Sequence, residues 1–344
     1  MRFRYPVTIA LVLAAISSPT ASAATCTWTP TILPLPAGMT TGTVYAADSG
    51  GGYAGVASGD GATSHAVRWS GGTATDYGTV PGYGPYVSVK GVNRNGVVVG
   101  STSAATGNRQ RAFRSVGTAL QALPEPAGAN HSWATAVNDN GDVVGNIGAD
   151  VTIGGSSYLV NTAVLWPANA PGTVVELTAG LPTTGQTIAR GVDQDGTVLV
   201  EHFPTTTSFL DADVLHLWRA GSARALPAPS GASSVAGNAI SNGRVAGGST
   251  VLGDLSATVW EPNGTIVKPA AADYTTSVNR TGQTVGWKAG PSLNMTYSVW
   301  QGTTKVGTYS GRWGLTASAD NGTVAGWNRT AANSPNQPAY YRCL

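Results

Sequence analysis

Charge is scarce in this chain. Lysine and arginine number 19 and aspartate and glutamate 17 among 344 residues, so charged side chains make up 10%, against about a quarter in an ordinary globular protein. The net charge of +2, with no Lys/Arg cluster, leaves no electrostatic footprint for nucleic acid or an anionic membrane surface. Neither is expected as a partner. Histidine (65, 131, 202, 216) and glutamate (125, 176, 201, 261) are equally sparse, so material for acid–base pairs is thin. No G-x-S-x-G elbow, H-E-x-x-H helix or P-loop occurs, and neither cofactor nor metal is expected. After the N-terminal segment no apolar run approaches the roughly 20 residues that span a bilayer. Only two cysteines are present, Cys26 and Cys343.

Glycine, threonine, serine and alanine dominate instead. Arg2 and Arg4 precede an apolar stretch over 7–16 that ends in small polar residues and Ala21-Ser22-Ala23, the pattern of a signal peptide. The expectation is an exported protein cleaved near Ala23, with residues 24–344 forming a single monomeric domain.

Self-similarity dominates this domain. The phrase GVNRNGVVVG (91–100) recurs as AVNDNGDVVG (136–145) and GVDQDGTVLV (191–200), then more loosely at 239–247, 277–286 and 318–326, and once earlier at 46–55. It opens on a small residue (Ala46, Gly91, Ala136, Gly191, Ala239, Ser277, Ser318) and closes on Gly55, Gly100, Gly145, Val200, Gly247, Gly286 and Gly326. The closing positions are 45, 45, 55, 47, 39 and 40 residues apart, the spacing of propeller blades. Asn/Asp and Gly between Val-rich runs mark a strand–turn–strand unit. A second phrase follows each copy: AVRW (66–69), AFRS (112–115), AVLW (163–166), LHLW (215–218), ATVW (257–260), YSVW (297–300) and AYYR (339–342). A Gly turn and a strand ending in a Leu-Pro or Val-Pro step come next. Four strands repeated seven times predict an all-β, seven-bladed β-propeller.

The termini are complementary. The segment 26–38 has only a fourth strand, and 318–344 supplies the first three strands of a unit and stops. A ring closed by pairing the N-terminal strand with the C-terminal blade follows; an open solenoid would need polar capping repeats. Cys26 and Cys343 fall where other units have the turn between third and fourth strands. A disulfide there replaces the missing turn, as suits an exported protein; the alternative is two separate buried thiols.

The stretch SHAVRWSGGTATDYG (64–78) resembles the unit of the HAF-repeat family of bacterial extracellular proteins, His-Ala-Phe-x-Trp, a Gly turn, then Asp-Leu-Gly. His65, Ala66, Trp69, Gly71, Gly72, Asp76 and Gly78 carry the match, with Val67 for Phe and Tyr77 for Leu. The resemblance implies an exported repeat protein and brings no catalytic or ligand residues with it.

Candidate chemistry mostly dissolves into turns. Asp48-Ser49-Gly50-Gly51 looks like a protease nucleophile loop but aligns with the repeat turn at 93–96. Asn138-Asp139-Asn140-Gly141-Asp142 and Asp193-Gln194-Asp195-Gly196 look like calcium loops without the closing Glu. Glu201-His202 reads as a solvated loop pair, pointing to opposite faces if extended. The recurring Trp69, Trp166, Trp218, Trp260 and Trp300 read as packing between blades.

Links between second and third strands are long (101–110, 146–162, 201–214, 287–296, 327–338) and open on the same face as the links between blades. Binding groups concentrate on such loops. Tyr83, Tyr86, His131, Trp133, Tyr274 and Trp313, assigned to the links between blades, are the candidate binding residues around the channel mouth. Three functional readings follow: a non-catalytic binding module for carbohydrate or an extracellular protein, a cell-envelope structural protein, and a propeller enzyme acting on extracellular glycan. The last requires groups such as Glu201, His131 and Asp211 to converge.

Overall fold

A computed structural model describes residues 26–61, 63–104, 109–207, 214–291 and 294–344. The expected signal segment and Asp211 lie outside them. The described residues form seven four-stranded antiparallel sheets arranged in a ring, a seven-bladed β-propeller. No α-helix occurs among them.

The first strand, β1 (Trp28–Ile32), belongs to the last blade. Blade 1 is β2 (Thr41–Ala47), β3 (Tyr53–Ser58), β4 (Ser64–Ser70) and β5 (Thr73–Gly78). Blade 2 is β6 (Val87–Val92), β7 (Val98–Ser103), β8 (Gln110–Val116) and β9 (Ala119–Ala122). Blade 3 is β10 (His131–Val137), β11 (Val143–Ile153), β12 (Ser156–Trp166) and β13 (Val175–Glu176). Blade 4 is β14 (Gln186–Val192), β15 (Val198–Phe203), β16 (Val214–Arg219) and β17 (Ser222–Ala225). Blade 5 is β18 (Ala232–Ser241), β19 (Arg244–Val251), β20 (Asp254–Trp260) and β21 (Ile266–Val267). Blade 6 is β22 (Tyr274–Val278), β23 (Gln283–Ala289), β24 (Met295–Gln301) and β25 (Thr304–Lys305). Blade 7 is β26 (Arg312–Ser318), β27 (Val324–Arg329) and β28 (Gln337–Cys343), completed by β1, which pairs antiparallel with β28. The ring therefore closes as its sequence predicts, and Cys26 and Cys343 are bonded with Cα atoms 5.4 Å apart.

Every innermost strand carries a one-residue bulge at the same place, at Tyr45, Lys90, Thr135, Arg190, Asn238, Thr276 and Thr316. A bulge bends and twists its strand, and here seven of them line one channel. The bulge also explains the repeated glycine of the second strand. A Cβ on Gly55, Gly100 or Gly326 would lie 1.9, 1.9 or 1.8 Å from the carbonyl oxygen of Thr43, Ser88 or Gly314. Glycine is kept for close backbone approach.

The repeated Trp residues are buried between blades. Their indole N–H groups donate to carbonyls of the preceding interblade link: Trp69 to Pro34 (2.7 Å), Trp166 to Pro124 (2.8 Å) and Trp260 to Pro227 (2.7 Å). The Leu-Pro step and the Trp phrase are thus two halves of one contact, with Leu33, Leu123 and Leu226 buried beside it. In blade 7 Trp28 makes the equivalent bond to Val306 from the N-terminal strand (2.9 Å).

The Asn/Asp turns bind their own backbone and the next blade. Asp48 Oδ1 accepts from Gly50 and Gly52, both at 2.7 Å. Asn138 Oδ1 accepts from Asp142 N–H at 2.9 Å. Asn93 Nδ2 donates to the Asn138 carbonyl and Asn279 Nδ2 to that of Ala319, each at 2.8 Å. The protease-like and calcium-like stretches are hairpin turns whose oxygens hold backbone N–H groups.

Four details differ from the sequence reading. In blade 7 the small residue after the bulge is Ala317, not Ser318, because the turn starts at Ala319, whose N–H bonds Thr323 as that of Asn279 bonds Gln283. The Trp position there is held by Tyr341, not Arg342, since Val324 pairs with Tyr341. Residues 146–162 are a continuation of the β11–β12 ladder to Ile153 and Ser156, turned by Gly154-Gly155 with φ of 59° and 86°, angles glycine supplies without strain. Glu201 and His202 lie buried in β15 rather than in a solvated loop.

Candidate functional site

Strand direction places the β-turns after first strands at one end of the channel and the interblade links at the other. At the short-turn end Ser49 of blade 1 donates to Asp139 of blade 3 across 3.2 Å. Bulge side chains stitch neighbouring blades: Thr135 donates to the Ala189 carbonyl (2.9 Å), Asn238 to Thr275 (2.7 Å) and Thr316 to Val44 (2.6 Å).

Lys90 and Arg190 are the two cations of the bulge ring. Enclosure by the channel wall, with the like charge of Arg190, lowers the Lys90 pKa from its ordinary value. Arg190 Nε donates to Glu201 Oε2 at 2.6 Å, and Gly237 N–H donates to Oε1 at 2.7 Å. Burial nevertheless pushes the Glu201 pKa up, outweighing the Arg190 charge and these hydrogen bonds. Both oxygens are engaged, so this carboxylate joins blades 4 and 5. His202 faces the opposite way, its Nε2 2.8 Å from the Thr184 carbonyl.

The six candidate binding residues do not converge. His131 and Trp133 begin β10 and share a cavity of about 460 Å³ at the channel mouth with Lys90, Gln110 and Leu159. Tyr83 packs against the core of blades 1 and 2 and lines a smaller neighbouring pocket. Tyr86 is exposed on the same link. Tyr274 begins β22 and packs against Trp287, ring centroids 5.6 Å apart. Only the two tyrosines on the first link lie in interblade links; the other four belong to innermost strands, because pairing with the second strand starts earlier than their phrases suggest.

Trp313 belongs to a separate groove between blades 6 and 7. This groove, about 710 Å³, is walled by Trp28, Tyr297, Tyr309, Trp313 and Trp327. Trp313 lies 4.8 Å from Tyr309 and 4.9 Å from Tyr341, centroid to centroid, and Tyr297 meets Trp327 edge-on at 6.4 Å. Tyr309 is fixed by donating its hydroxyl to Asn328 at 2.7 Å. Burial raises the pKa of Tyr297 and Tyr309, so both remain neutral donors at physiological pH. Sequence reasoning missed Tyr297, Tyr309 and Trp327 as site residues. A signal existed: the residue after the repeat glycine is Val56, Ser101, Asn146, Glu201 or Gly248 in five units but Trp287 and Trp327 in the last two.

No family model matches the sequence, and no curated protein matches it. The fold does have solved relatives. Oligogalacturonate lyase from Vibrio parahaemolyticus is similar with a TM-score of 0.59 at 11% identity, over 92% of this chain and 96% of that one. The β-propeller domain of the Trilobed protease from Pyrococcus furiosus gives 0.55 at 11% identity, over 76% and 79%. Virginiamycin B lyase from Staphylococcus aureus gives 0.50 at 11% identity, over 92% and 99%. At this identity the likeness shows the propeller fold alone.

Proposed function

We propose that this protein is an exported, non-catalytic binding propeller of the HAF-repeat kind, acting as a monomer and taking carbohydrate in the groove between blades 6 and 7. The observation that carries the reading is the gathering of Trp313, Trp327, Tyr297 and Tyr309 around one open groove. Indole and phenol faces stack on the C–H faces of pyranose rings while their N–H and O–H groups hydrogen-bond hydroxyls, which suits amphipathic rings at a binding surface. The disulfide supports export, and no helix among the described residues is long and apolar enough to cross a membrane.

The test is a glycan array followed by titration calorimetry on the full chain. Trp313→Ala and Trp327→Ala are expected to weaken saccharide binding at least tenfold, whereas Trp133→Ala, at the channel mouth, leaves it unchanged. An array without a single saccharide hit overturns the proposal in favour of a cell-envelope role. Release of new reducing ends from a bound glycan replaces binding with catalysis, for which Lys90 beside His131 and Trp133 is the place to look.

A further inference from the structure

The walls of the aromatic groove carry charge of one sign. Lys305, Arg312 and Arg329 all line it, and no aspartate or glutamate does, in a chain whose acids and bases are almost balanced at 17 and 19. Two of these cations occupy an unusual place. Arg312 opens β26 and Arg329 closes β27, and the two are direct cross-strand partners. Residues directly opposite in an antiparallel pair project from the same face with Cβ atoms about 5 Å apart, and like charges there are destabilising.

Seven of the other described arginines sit beside carboxylates, among them Arg190 on Glu201, Arg244 on Glu261 at 2.7 Å and Arg219 on Asp195 at 2.8 Å. Arg312 and Arg329 enter no ion pair among the described residues. Arg329 is instead held by neutral contacts. Its Nε donates to Asn336 Oδ1 at 2.6 Å, and its guanidinium lies 4.8 Å from the Trp327 ring centroid. This fixes a planar, fully charged donor fork beside the ring that receives the sugar. Folding alone gives no return for placing two guanidinium groups opposite one another at the rim of an open groove; an anion between them does.

We infer that the groove selects an acidic glycan, one whose pyranose rings carry carboxylate or sulfate groups. Sugar rings pack on the aromatic walls, and an anionic substituent is held by Arg312 and Arg329, with Lys305 supplying a further charge. Charge-assisted bonds from arginine to carboxylate or sulfate oxygens are about twice as strong as neutral ones, and the paired guanidinium groups lose their mutual repulsion on binding. This inference rests on the carbohydrate reading given above.

Calorimetry of the full chain with four probes of equal length tests it: a galacturonate hexamer, its methyl ester, a heparin hexasaccharide and its desulfated, N-acetylated form. The galacturonate hexamer is expected to bind at least tenfold more tightly than its neutral methyl ester, and heparin more tightly than its desulfated form, which keeps only its uronate carboxylates. The preference should shrink as sodium chloride rises from 50 to 500 mM, and uronate and heparin arms will say which anion is preferred. Arg312→Gln and Arg329→Gln should abolish the preference, so that acid and methyl ester bind each variant alike. Lys305→Gln, an exposed position, should reduce the preference without touching the fold. Equal affinity for acid and ester, together with equal affinity for heparin and its desulfated form, overturns the inference but not the carbohydrate reading. Absence of binding to all four, with no array hit, overturns the reading itself. Equally tight binding of a thymidylate hexamer shows an unspecific polyanion site and also overturns the inference.

Discussion

Cys26 and Cys343 are bonded at the one place in the ring where a hairpin turn is missing. Trp28 pairs with Cys343, and the Thr27 and Leu344 backbones exchange hydrogen bonds of 3.0 and 3.1 Å just beyond. The link from blade 6 closes over the bond: a Cβ on Gly307, whose φ is 66°, would lie 2.9 Å from the Cys343 sulfur. The disulfide thus ties the N-terminal strand to the last blade and lies under the link to it.

Reduction should therefore open the ring before it unfolds the blades. The chain-entropy model gives about 5 kcal/mol for a closed loop of this length. Guanidinium denaturation of Cys343→Ser against the oxidised wild type should show a lower midpoint, and thiol titration of the unfolded wild type without reductant should find no free cysteine.

The repeat glycines admit no side chain. Gly100→Ala puts a methyl group 1.9 Å from the Ser88 carbonyl oxygen, and the backbone of β6 or β7 must move. A loss of about 3 kcal/mol is expected from strain of this kind. The same exchange at Gly117, where a Cβ meets nothing within 4 Å although φ is 60°, should cost about 1 kcal/mol. Thermal unfolding of both variants checks the order.

The recurring tryptophans are buried between blades and bonded to the interblade links, so their loss should cost stability and not ligand affinity. Trp260→Phe removes the donor to Pro227, leaving a part-buried carbonyl without its indole partner at a cost of about 1 kcal/mol. Its melting temperature should fall while glycan affinity, measured below the transition, stays at the wild-type value.

Glu201 makes stability depend on pH in an uncommon direction for a carboxylate. Its folded pKa is raised by burial, so the fold favours the protonated acid. That contribution is complete below the unfolded value and is lost as pH rises through the folded one. Glu201→Gln keeps an acceptor for Gly237 and cannot ionise. The advantage of the wild type over this variant in melting temperature should shrink between pH 4 and pH 8; a growing advantage would show that the Arg190 charge prevails.

The blade plan was legible because a propeller repeats its constraints. Most units carry a glycine under the bulge, Asn/Asp in the first turn and an indole that bonds the preceding link, so these residues recur every 39 to 55 residues and reveal strand order, blade number and the cysteine pairing. The slips in blade 7 came from residue type. Ala319 replaces the usual Asn or Asp, and Tyr341 replaces the usual Trp, so matching letters drifted by one.

The aromatic groove obeyed no such repetition. Tyr297, Tyr309, Trp313 and Trp327 come from four different stretches of blades 6 and 7, and Arg312 meets Arg329 only through the register of β26 with β27. Tyr83, Tyr86, His131 and Tyr274 share the same loop-rich end yet point into separate surroundings. Periodicity is a property of the chain and was visible along it. Convergence is a property of neighbouring blades packed at an angle, and only the closed ring decided which aromatics and which charges meet.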